Sequence, residues 1–456
     1  MVPPFVTPGS PPPAPPRPAL SAILQATASA VRAVDQGRSL TDALAAVPAP
    51  LRPAVQAVSF HAMRQLGWAA AIGHQLVQRS PGPLFDALLR VSLALLRAAP
   101  GDTQQAHAAS MPGMPVYAPH TVVNQAVTAA AGQRPLAAYK GLLNACLRRF
   151  LRERDALEAA ISDDPEARWN HPAWWVDELR RVYPDQWQAV LDAANIPAPL
   201  TLRVNTRRAA RDQVSQALQD AGIGSVPVGQ SGLVLAQPRP VQQLPGFEQG
   251  WWSVQDAAAQ LAAPLLAPRD GERVLDACAA PGGKTAHLLE LADLDLLALD
   301  ADAGRLARVE QNLDRLGLRG GRVAVAAADA ADLDAWWDGK PFDAVLADVP
   351  CTASGIVRRH PDIRWLRRAP DIARTARLQA RLVDALWRTV APGGRLLYVT
   401  CSVFPAEGAR QADAFARRHP DALRLAAPGQ LLPVAVGATL QGQHDGFFYA
   451  LFAKQS

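Results

Sequence analysis

Two of the chain's four cysteines stand directly behind apolar runs that read as buried strands. Cys351 follows "FDAVLADVP", Cys401 follows "LLYVT", and turn-forming residues come after each. A cysteine with a packing role belongs inside an apolar stripe, as Cys146 does, whereas the ends of parallel strands are where sites are built. A thiol at a strand end can serve as a nucleophile. The spacing alone does not tell which of the two attacks.

A further apolar run ends in Asp276 and enters the loop "ACAAPGGKT" ahead of a helix. Gly282 and Gly283 allow backbone amides to approach a ligand closely. The loop matches neither the G-x-G-x-x-G pattern nor the G-x-x-x-x-G-K-[ST] phosphate loop. The sequence therefore gives little support to a nicotinamide cofactor or a nucleoside triphosphate as the ligand of this loop.

Aspartates close the apolar runs at regular intervals. Asp300 ends the next strand about 24 residues after Asp276, near the position where such folds place a carboxylate on ribose hydroxyls. We expect Asp329 to end the third strand and Asp348 the fourth, so that four carboxylates follow one rim of a sheet. Helix capping explains one or two of them. The full set favours a ligand with a ribose, an amino-bearing base and a tail, such as S-adenosylmethionine.

The composition is that of a globular chain with several domains. Of 456 residues, 49% are hydrophobic and 19% charged, and 46 Lys and Arg face 41 Asp and Glu. This mild excess permits a nucleic-acid partner without establishing one. The cysteine spacing suggests neither a disulfide framework nor a zinc site, and we expect no metal. With no apolar run of membrane-spanning length and no signal-peptide core, a cytoplasmic protein without membrane contact is expected.

The elements that position these residues fall into four stretches. Residues 1–18 hold nine prolines and predict a disordered leader. Residues 19–160 have helical spacing, with "PLFDALLRVSLALLRAA" as a central buried helix and Ser39 as an N-cap. They predict a bundle of antiparallel helices. One apolar stripe combines Leu20, Ile23, Leu24, Thr27, Val31 and Val34.

Residues 161–250 predict a small α+β module, in which Trp174 and Trp175 are packing anchors. Residues 251–456 alternate apolar runs with helical spacing, the pattern of a doubly wound parallel α/β sheet. The strand candidates are "RVLDACA", "LDLLALD", "GRVAVAAAD", "FDAVLAD" and "GRLLYVTCS".

Two arginine-rich segments are candidates for phosphate contact. Arg148 and Arg149 lie in "YKGLLNACLRRFLRERDALEAA", where a solvated face paired with nearby acids is the competing interpretation. The segment "GIVRRHPDIRWLRR" follows the Pro-Cys turn, and its place beside the site favours a phosphate-facing strip. Its arginines are Arg358, Arg359, Arg364, Arg367 and Arg368.

Four motifs together resemble the Sun-type RNA cytosine-5 methyltransferases, and within them the RsmB (Sun, Fmu) family that acts on 16S ribosomal RNA. They are "DACAAPGGKT", "DVPCTASG", "RRHPDIRW" and "YVTCSVFPAEG". The resemblance covers roughly residues 250–456, and the helical stretch resembles more loosely a NusB-like RNA-binding domain. Ala328 and Val349 depart from the residues usual in the family.

The resemblance implies a Rossmann-like methyltransferase domain, S-adenosylmethionine as cofactor, and 16S rRNA, free or in an assembling small subunit, as the partner of a monomer. It assigns Cys401 as nucleophile and Cys351 to release, with Asp348 on the target cytosine and Lys284 stabilising charge. Asp300 is expected on the ribose and Asp329 near the adenine. The expected cofactor contacts are Cys278, Ala279, Ala280, Pro281, Gly282, Gly283, Lys284, Asp300, Asp329 and Asp348.

Other functions stay open at this stage. A cytosine-5 methyltransferase for transfer RNA or large-subunit rRNA is the nearest, although the chain ends soon after "DGFFYALFAK", without the C-terminal appendage of some relatives. A non-catalytic antitermination-type factor would not need the two cysteines and the aspartates. A small-molecule methyltransferase would need neither the basic segment nor the additional domains.

Overall fold

The computed structural model describes residues 18–98, 115–320, 322–433 and 443–455. The proline-rich leader expected over residues 1–18 lies outside the described residues, except for Pro18. Within these ranges no helix combines the length and the apolar character that crossing a membrane requires.

The first region is a bundle of helices, as the spacing predicts. The stripe of α1 is buried along its length, including Thr27, and the side chain of Ser39 accepts a hydrogen bond from the amide of Asp42 at the start of α2. The fifth helix is the most buried, which confirms the central helix. The bounds are α1 Leu20–Asp35, α2 Leu40–Ala45, α3 Arg52–Met63, α4 Leu66–Leu76, α5 Pro83–Arg97, α6 Pro119–Ala131 and α7 Lys140–Ala160.

Three short helices follow and pack on the C-terminal region. They are α8 Pro165–Trp169, α9 Ala173–Val182 and α10 Trp187–Ala194. Trp175 is fully buried, with its ring 5.1 Å from that of Phe404, and Trp174 is 6.1 Å from the same ring. The interpretation of both tryptophans as packing anchors is therefore confirmed.

A small antiparallel sheet carries the middle of the chain. Its elements are β1 Thr201–Val204, α11 Arg211–Asp220, β2 Ser225–Val228, β3 Gly232–Leu235 and β4 Trp252–Val254. The strand order is β2-β3-β1-β4, and Leu202 pairs with Val254. The sheet thus includes residues beyond the expected boundary at 250, because "WSV" completes its edge and does not open the next domain.

The C-terminal region is a seven-stranded sheet with helices on both faces. Its strands run in the order β10-β11-β9-β8-β5-β6-β7. Its elements are α12 Ala262–Leu266, β5 Arg273–Asp276, α13 Gly283–Leu291, β6 Asp295–Asp300, α14 Ala303–Leu316, β7 Val323–Ala327, β8 Phe342–Asp348, α15 Ile363–Leu366, α16 Ala369–Thr389, β9 Val390–Thr400, α17 Ala409–Arg418, β10 Ala422–Leu431 and β11 Phe447–Lys454.

The sequence pattern predicts a wholly parallel sheet, and this prediction is wrong for the strands at one side of it. Strand β11 inserts between β9 and β10 and pairs antiparallel with both. The run "FFYALFAK" is buried on both faces, and such a run carries no alternation from which strand direction can be read. The strands β5, β8 and β9 are parallel neighbours, so their carboxyl ends meet at one edge.

Candidate active site

The two cysteines at strand ends come together. Asp348 of β8 pairs in register with Val399 of β9, so the turns that leave these strands are adjacent. The sulfur atoms of Cys351 and Cys401 lie 3.4 Å apart, both thiols are free, and both residues are partly exposed. The pair therefore faces solvent at the strand ends, where a ligand can reach it.

An ion pair borders the thiols. The Nζ atom of Lys284 donates to Asp348 at 2.6 Å and lies 5.3 Å from the centre of the Phe447 ring. Burial lowers the pKa of Lys284, but the negative charges of Asp348 and of a Cys401 thiolate outweigh this effect and raise it above its ordinary value. The site thus keeps a cation beside Cys401.

The two sulfurs differ in their surroundings. The hydrogen bond with Cys401 is the largest cause that raises the pKa of Cys351 well above its ordinary value, and burial adds to it. The amide of Ala353 also donates to the Cys351 sulfur, at 3.4 Å. Cys351 is therefore a neutral thiol near pH 7.

A buried glutamate lies beneath both cysteine turns, and the sequence did not reveal it. Glu407 is fully buried and accepts hydrogen bonds from the Thr352 amide at 2.8 Å and the Ser402 hydroxyl at 2.6 Å. It belongs to the quoted motif "YVTCSVFPAEG", but no signal in the sequence distinguishes a buried glutamate from a solvated one in a loop.

The glycine loop has the shape expected of a ligand cradle. Gly282 has φ +96°, and a Cβ there would lie 3.1 Å from the backbone of Val309. The loop delivers the N-terminus of α13, whose first amides have no partner within the helix. Asp300 is buried beside it and accepts from the amides of Ala280 at 3.1 Å and Asp302 at 3.0 Å. These residues fit a ligand with ribose hydroxyls and a charged tail.

The expected rim of four carboxylates is only partly present. Asp276, Asp300 and Asp348 end β5, β6 and β8, but β7 ends at Ala327, two residues before Asp329. The Asp329 side chain is 46% exposed and pairs with Arg381 at 3.0 Å. Its expected place near an adenine stays a prediction.

Asp276 points into the protein instead of along the rim. It is fully buried and accepts from the Thr285 hydroxyl at 2.7 Å. Burial raises the pKa of Asp276 to about 7. Its contact joins β5 to α13 and thereby fixes the start of the loop.

Cys278 lies in the same loop, and Cys146 lies in the helical bundle. Burial raises the pKa of the Cys278 thiol, and the charges of Asp348 and Asp276 raise it further. Cys146 is buried within α7, as its apolar stripe predicts. Among the described residues, neither thiol forms a hydrogen bond with Cys351 or Cys401.

The expected phosphate-facing arginine strip is wrong for three of its five members. Arg358 is almost fully buried and pairs with Asp445. Arg359 pairs with Asp445 and with Asp256 at 2.8 Å. Arg364 is fully buried, where burial lowers its pKa to about 9. These guanidinium groups hold regions of the chain together.

The other arginines of the segment also have intramolecular partners. Arg364 donates to the carbonyl of Ala194 at 2.7 Å, which ties α15 to α10. Arg367 donates to the carbonyl of Thr352 at 3.0 Å, and the exposed Arg368 donates to the carbonyl of Trp365. The arginines of this segment therefore hold the loop in place beside the site through hydrogen bonds to backbone carbonyls.

The helical candidates match the competing interpretation. Arg148 is exposed and bonds Asn144 at 3.0 Å, and Arg149 is exposed and pairs with Glu153 at 2.8 Å. This is the arrangement of a solvated face on α7. Contact of either arginine with RNA stays a prediction.

A groove of about 890 Å³ opens where the three regions meet. Among the described residues that line it there are arginines and histidines but no aspartate or glutamate. Arg64, directly after α3, donates to the carbonyl of Arg358 at 2.7 Å, and the exposed Arg239 has no hydrogen bond or ion pair among the described residues. The basic lining residues are His61, Arg64, Arg239, Arg358, Arg359 and His360.

Comparison with known proteins gives matches along most of the chain. The family model "16S rRNA methyltransferase RsmB/F" matches residues 263–453, and the "Methyltr_RsmF/B-like, ferredoxin-like domain" model matches residues 171–242. The Ribosomal RNA small subunit methyltransferase B of Vibrio cholerae is 41% identical over 449 residues, which cover 94% of this chain and 97% of that protein. Its counterpart in Pseudomonas putida is 49% identical over 323 residues, 69% of this chain and 73% of that one.

Solved structures agree in architecture. The crystal structure of PH0851 covers 95% of this chain and 99% of its own, with a TM-score of 0.73 and 25% identity. The structure of NSun6 from Pyrococcus horikoshii with SFG covers 62% of this chain and 98% of its own, with a TM-score of 0.56 and 19% identity. The second match supports the fold alone.

Proposed function

Since the chain belongs to the RsmB/F family of 16S rRNA methyltransferases, we propose that it methylates carbon 5 of a cytosine in 16S rRNA through a covalent bond between Cys401 and the base. It is an rRNA methyltransferase that uses S-adenosylmethionine. The observation that carries the cytosine chemistry is the contact of two free thiols, 3.4 Å apart, beside the Lys284–Asp348 pair.

The residues around the glycine loop fit the cofactor. S-adenosylmethionine, when bound, supplies an electrophilic methyl group. Residues 278–284 would hold it, with Asp300 toward the ribose hydroxyls, because its two oxygens keep lone pairs beyond those used by the backbone amides. Asp329 is proposed near the adenine, and Asp348 between the cofactor and the target base.

Cys401 is proposed as the nucleophile because a cation lies beside it. Carbon 5 of cytosine is a weak nucleophile until a thiolate adds at carbon 6 and makes an enamine. Lys284 keeps its positive charge beside that sulfur. Asp348 is proposed to accept hydrogen bonds from the amino edge of the cytosine, which holds the ring over the sulfur.

Cys351 is proposed to assist release. In the elimination, a solvent water takes the carbon 5 proton and the electrons of that C–H bond restore the double bond between carbons 5 and 6. The bond between carbon 6 and the Cys401 sulfur then breaks, and its electron pair returns to sulfur. A neutral Cys351 thiol 3.4 Å away can stabilise the departing sulfur by a hydrogen bond. The cation beside Cys401 and the raised pKa of Cys351 support this division of roles.

The RNA is proposed to lie in the groove where the three regions meet. Its described lining has no acid. Asp445 and Asp256 already pair with Arg358 and Arg359, so the exposed Arg239 is the lining charge that is proposed to attract the polyanion. The catalytic wall of the groove, residues 358–360, continues the turn that carries Cys351. We also propose that the protein acts as a monomer and in the cytoplasm.

The decisive test is product identification. Purified protein, labelled S-adenosylmethionine and 16S rRNA from cells lacking this gene are incubated, and the digested nucleosides are separated by mass spectrometry. We expect 5-methylcytidine from 16S rRNA. Label in another nucleoside would overturn the cytosine chemistry, and label only in transfer RNA or large-subunit rRNA, supplied in parallel, would overturn the substrate.

A further inference from the structure

The carboxylate of Glu407 accepts hydrogen bonds from four different residues. Its carboxylate accepts from the amide and hydroxyl of Thr352 and from the hydroxyl of Ser402. The hydroxyl of Thr375 donates to it at 2.6 Å, and the amide nitrogen of Gln379 at 3.3 Å. The side chain is fully buried, so water supplies none of these bonds.

The donors come from three separate elements. Thr352 directly follows Cys351, Ser402 directly follows Cys401, and Thr375 belongs to α16. The two cysteine turns therefore share one carboxylate, which itself rests on a helix. The backbone of Glu407 is fixed as well, because its carbonyl accepts from the hydroxyl of Tyr398 on β9 at 2.7 Å.

The position of this carboxylate also makes the two thiols unequal. Its negative charge adds to the causes that raise the pKa of Cys351, after the hydrogen bond with Cys401 and burial. Lys284, by contrast, interacts electrostatically with Cys401. The anion of Glu407 thus acts on Cys351, and the cation of Lys284 lies near Cys401.

We propose that Glu407 is a positioning residue of the reaction, which holds the turns of Cys351 and Cys401 so that their sulfurs stay in contact. This inference rests on the proposed function for its catalytic meaning, but the geometric part stands independently. Glu407 touches no substrate atom and acts through Thr352 and Ser402.

The variant Glu407→Gln in the full chain tests the catalytic part. Gln keeps the size of the side chain, but its amide NH₂ group cannot accept the hydrogen bonds that one carboxylate oxygen now accepts. Because a misplacement of about 1 Å costs on the order of 10²-fold in rate, we expect kcat to fall about that far. The KM values for S-adenosylmethionine and rRNA should stay near those of the wild type.

Glu290→Gln is the matched control. Glu290 is also a buried glutamate, and it pairs with Arg203 at 2.6 Å, away from both cysteine turns. The loss of a buried charge is common to both variants, so thermal unfolding followed by circular dichroism should show both destabilised. Only Glu407→Gln should lose kcat while folded. An equal loss of kcat in the two variants would overturn the proposal.

Disulfide formation measures the sulfur geometry without methyl transfer. The azo compound diamide takes two electrons and two protons from the thiols and becomes the hydrazine, while Cys351 and Cys401 form one S–S bond. We expect this bond to form rapidly in the wild type and in Glu290→Gln, and about tenfold more slowly in Glu407→Gln, since the sulfurs no longer stay in contact. Peptide mapping identifies the bond.

The outcomes separate the two proposals. An unchanged rate of disulfide formation in Glu407→Gln overturns the positioning role, whatever the activity. A wild-type protein that makes no 5-methylcytidine, with the disulfide rates as expected, overturns the proposed function and leaves the positioning role intact. If Glu407→Gln does not fold, Ser402→Ala, which removes one donor, must slow disulfide formation in the same direction.

Discussion

The strand-end turns that carry Cys351 and Cys401, called here the catalytic rim, differ sharply from the arginine segment that follows Cys351. The sequence motifs of both are equally easy to recognise. The cysteines of the rim stand at the ends of adjacent parallel strands and meet at 3.4 Å. The arginines a few residues later were expected to face phosphate, yet Arg358 and Arg364 are buried. Strand ends are located by the sheet itself, whereas the partners of a loop charge come from distant parts of the chain.

The largest expected effect sharpens the catalytic side of this comparison. In Cys401→Ala no thioether to cytosine can form, so methylation and covalent RNA trapping should both fall to background. In Cys351→Ala attack still occurs but release stalls, so RNA should stay attached through Cys401. A denaturing gel with labelled rRNA detects the shifted protein band. A band from Cys401→Ala and none from Cys351→Ala would reverse the two roles.

The next effect tests whether the arginine segment is structural. Arg358→Gln leaves Asp445 without one of its buried partners, which we expect to cost about 3 kcal/mol in the free energy of unfolding. Arg374→Gln is the control, because its pair with Asp371 is 73% exposed on the arginine side and contributes about 0.5 kcal/mol or less. Urea unfolding measures both. Weaker rRNA binding by Arg358→Gln with unchanged stability would restore the phosphate-facing role.

A smaller effect distinguishes two aspartates of the rim. Asp300→Ala should weaken S-adenosylmethionine binding by about 10- to 100-fold, since hydrogen bonds to a charged group contribute about 1.5–3 kcal/mol. Asp329→Ala should weaken it less, because its side chain is half exposed and already pairs with Arg381. Calorimetry gives both affinities. Unchanged affinity in Asp300→Ala would remove it from the ribose.

The smallest effect concerns the groove. Arg239→Gln removes an exposed charge that has no hydrogen bond or ion pair among the described residues, so rRNA affinity should fall a few-fold. In a plot of the logarithm of affinity against the logarithm of salt concentration, the slope should become less steep by about 1. Arg388→Gln is the matched control, because Arg388 is also exposed and lies in the last turn of α16, outside the lining of the groove. Filter binding over a range of salt concentrations measures both, and equal slopes in the two variants would place the RNA elsewhere.

The sequence predicted the features that depend on neighbouring residues, and it missed those that depend on contacts between distant parts of the chain. Apolar periodicity located the bundle, the small sheet and the α/β sheet, and strand ends located Cys351, Cys401 and Asp348. Apolar periodicity did not predict the direction of β11, because that direction depends on pairing with β9, some fifty residues earlier along the chain. It failed for Asp329 because β7 is short, and for Glu407 because burial is a tertiary property.

The place of β11 in the sheet has a consequence for how the protein is made. The strand is synthesised after all others of its sheet, yet it occupies an interior position between β9 and β10. Until it emerges from the ribosome, β9 and β10 both present unpaired edges, which invite wrong pairings. Phe447 also completes the contact around Lys284. Folding of the strand ends that carry Cys351 and Cys401 therefore depends on a strand that is synthesised after all the other described strands of its sheet.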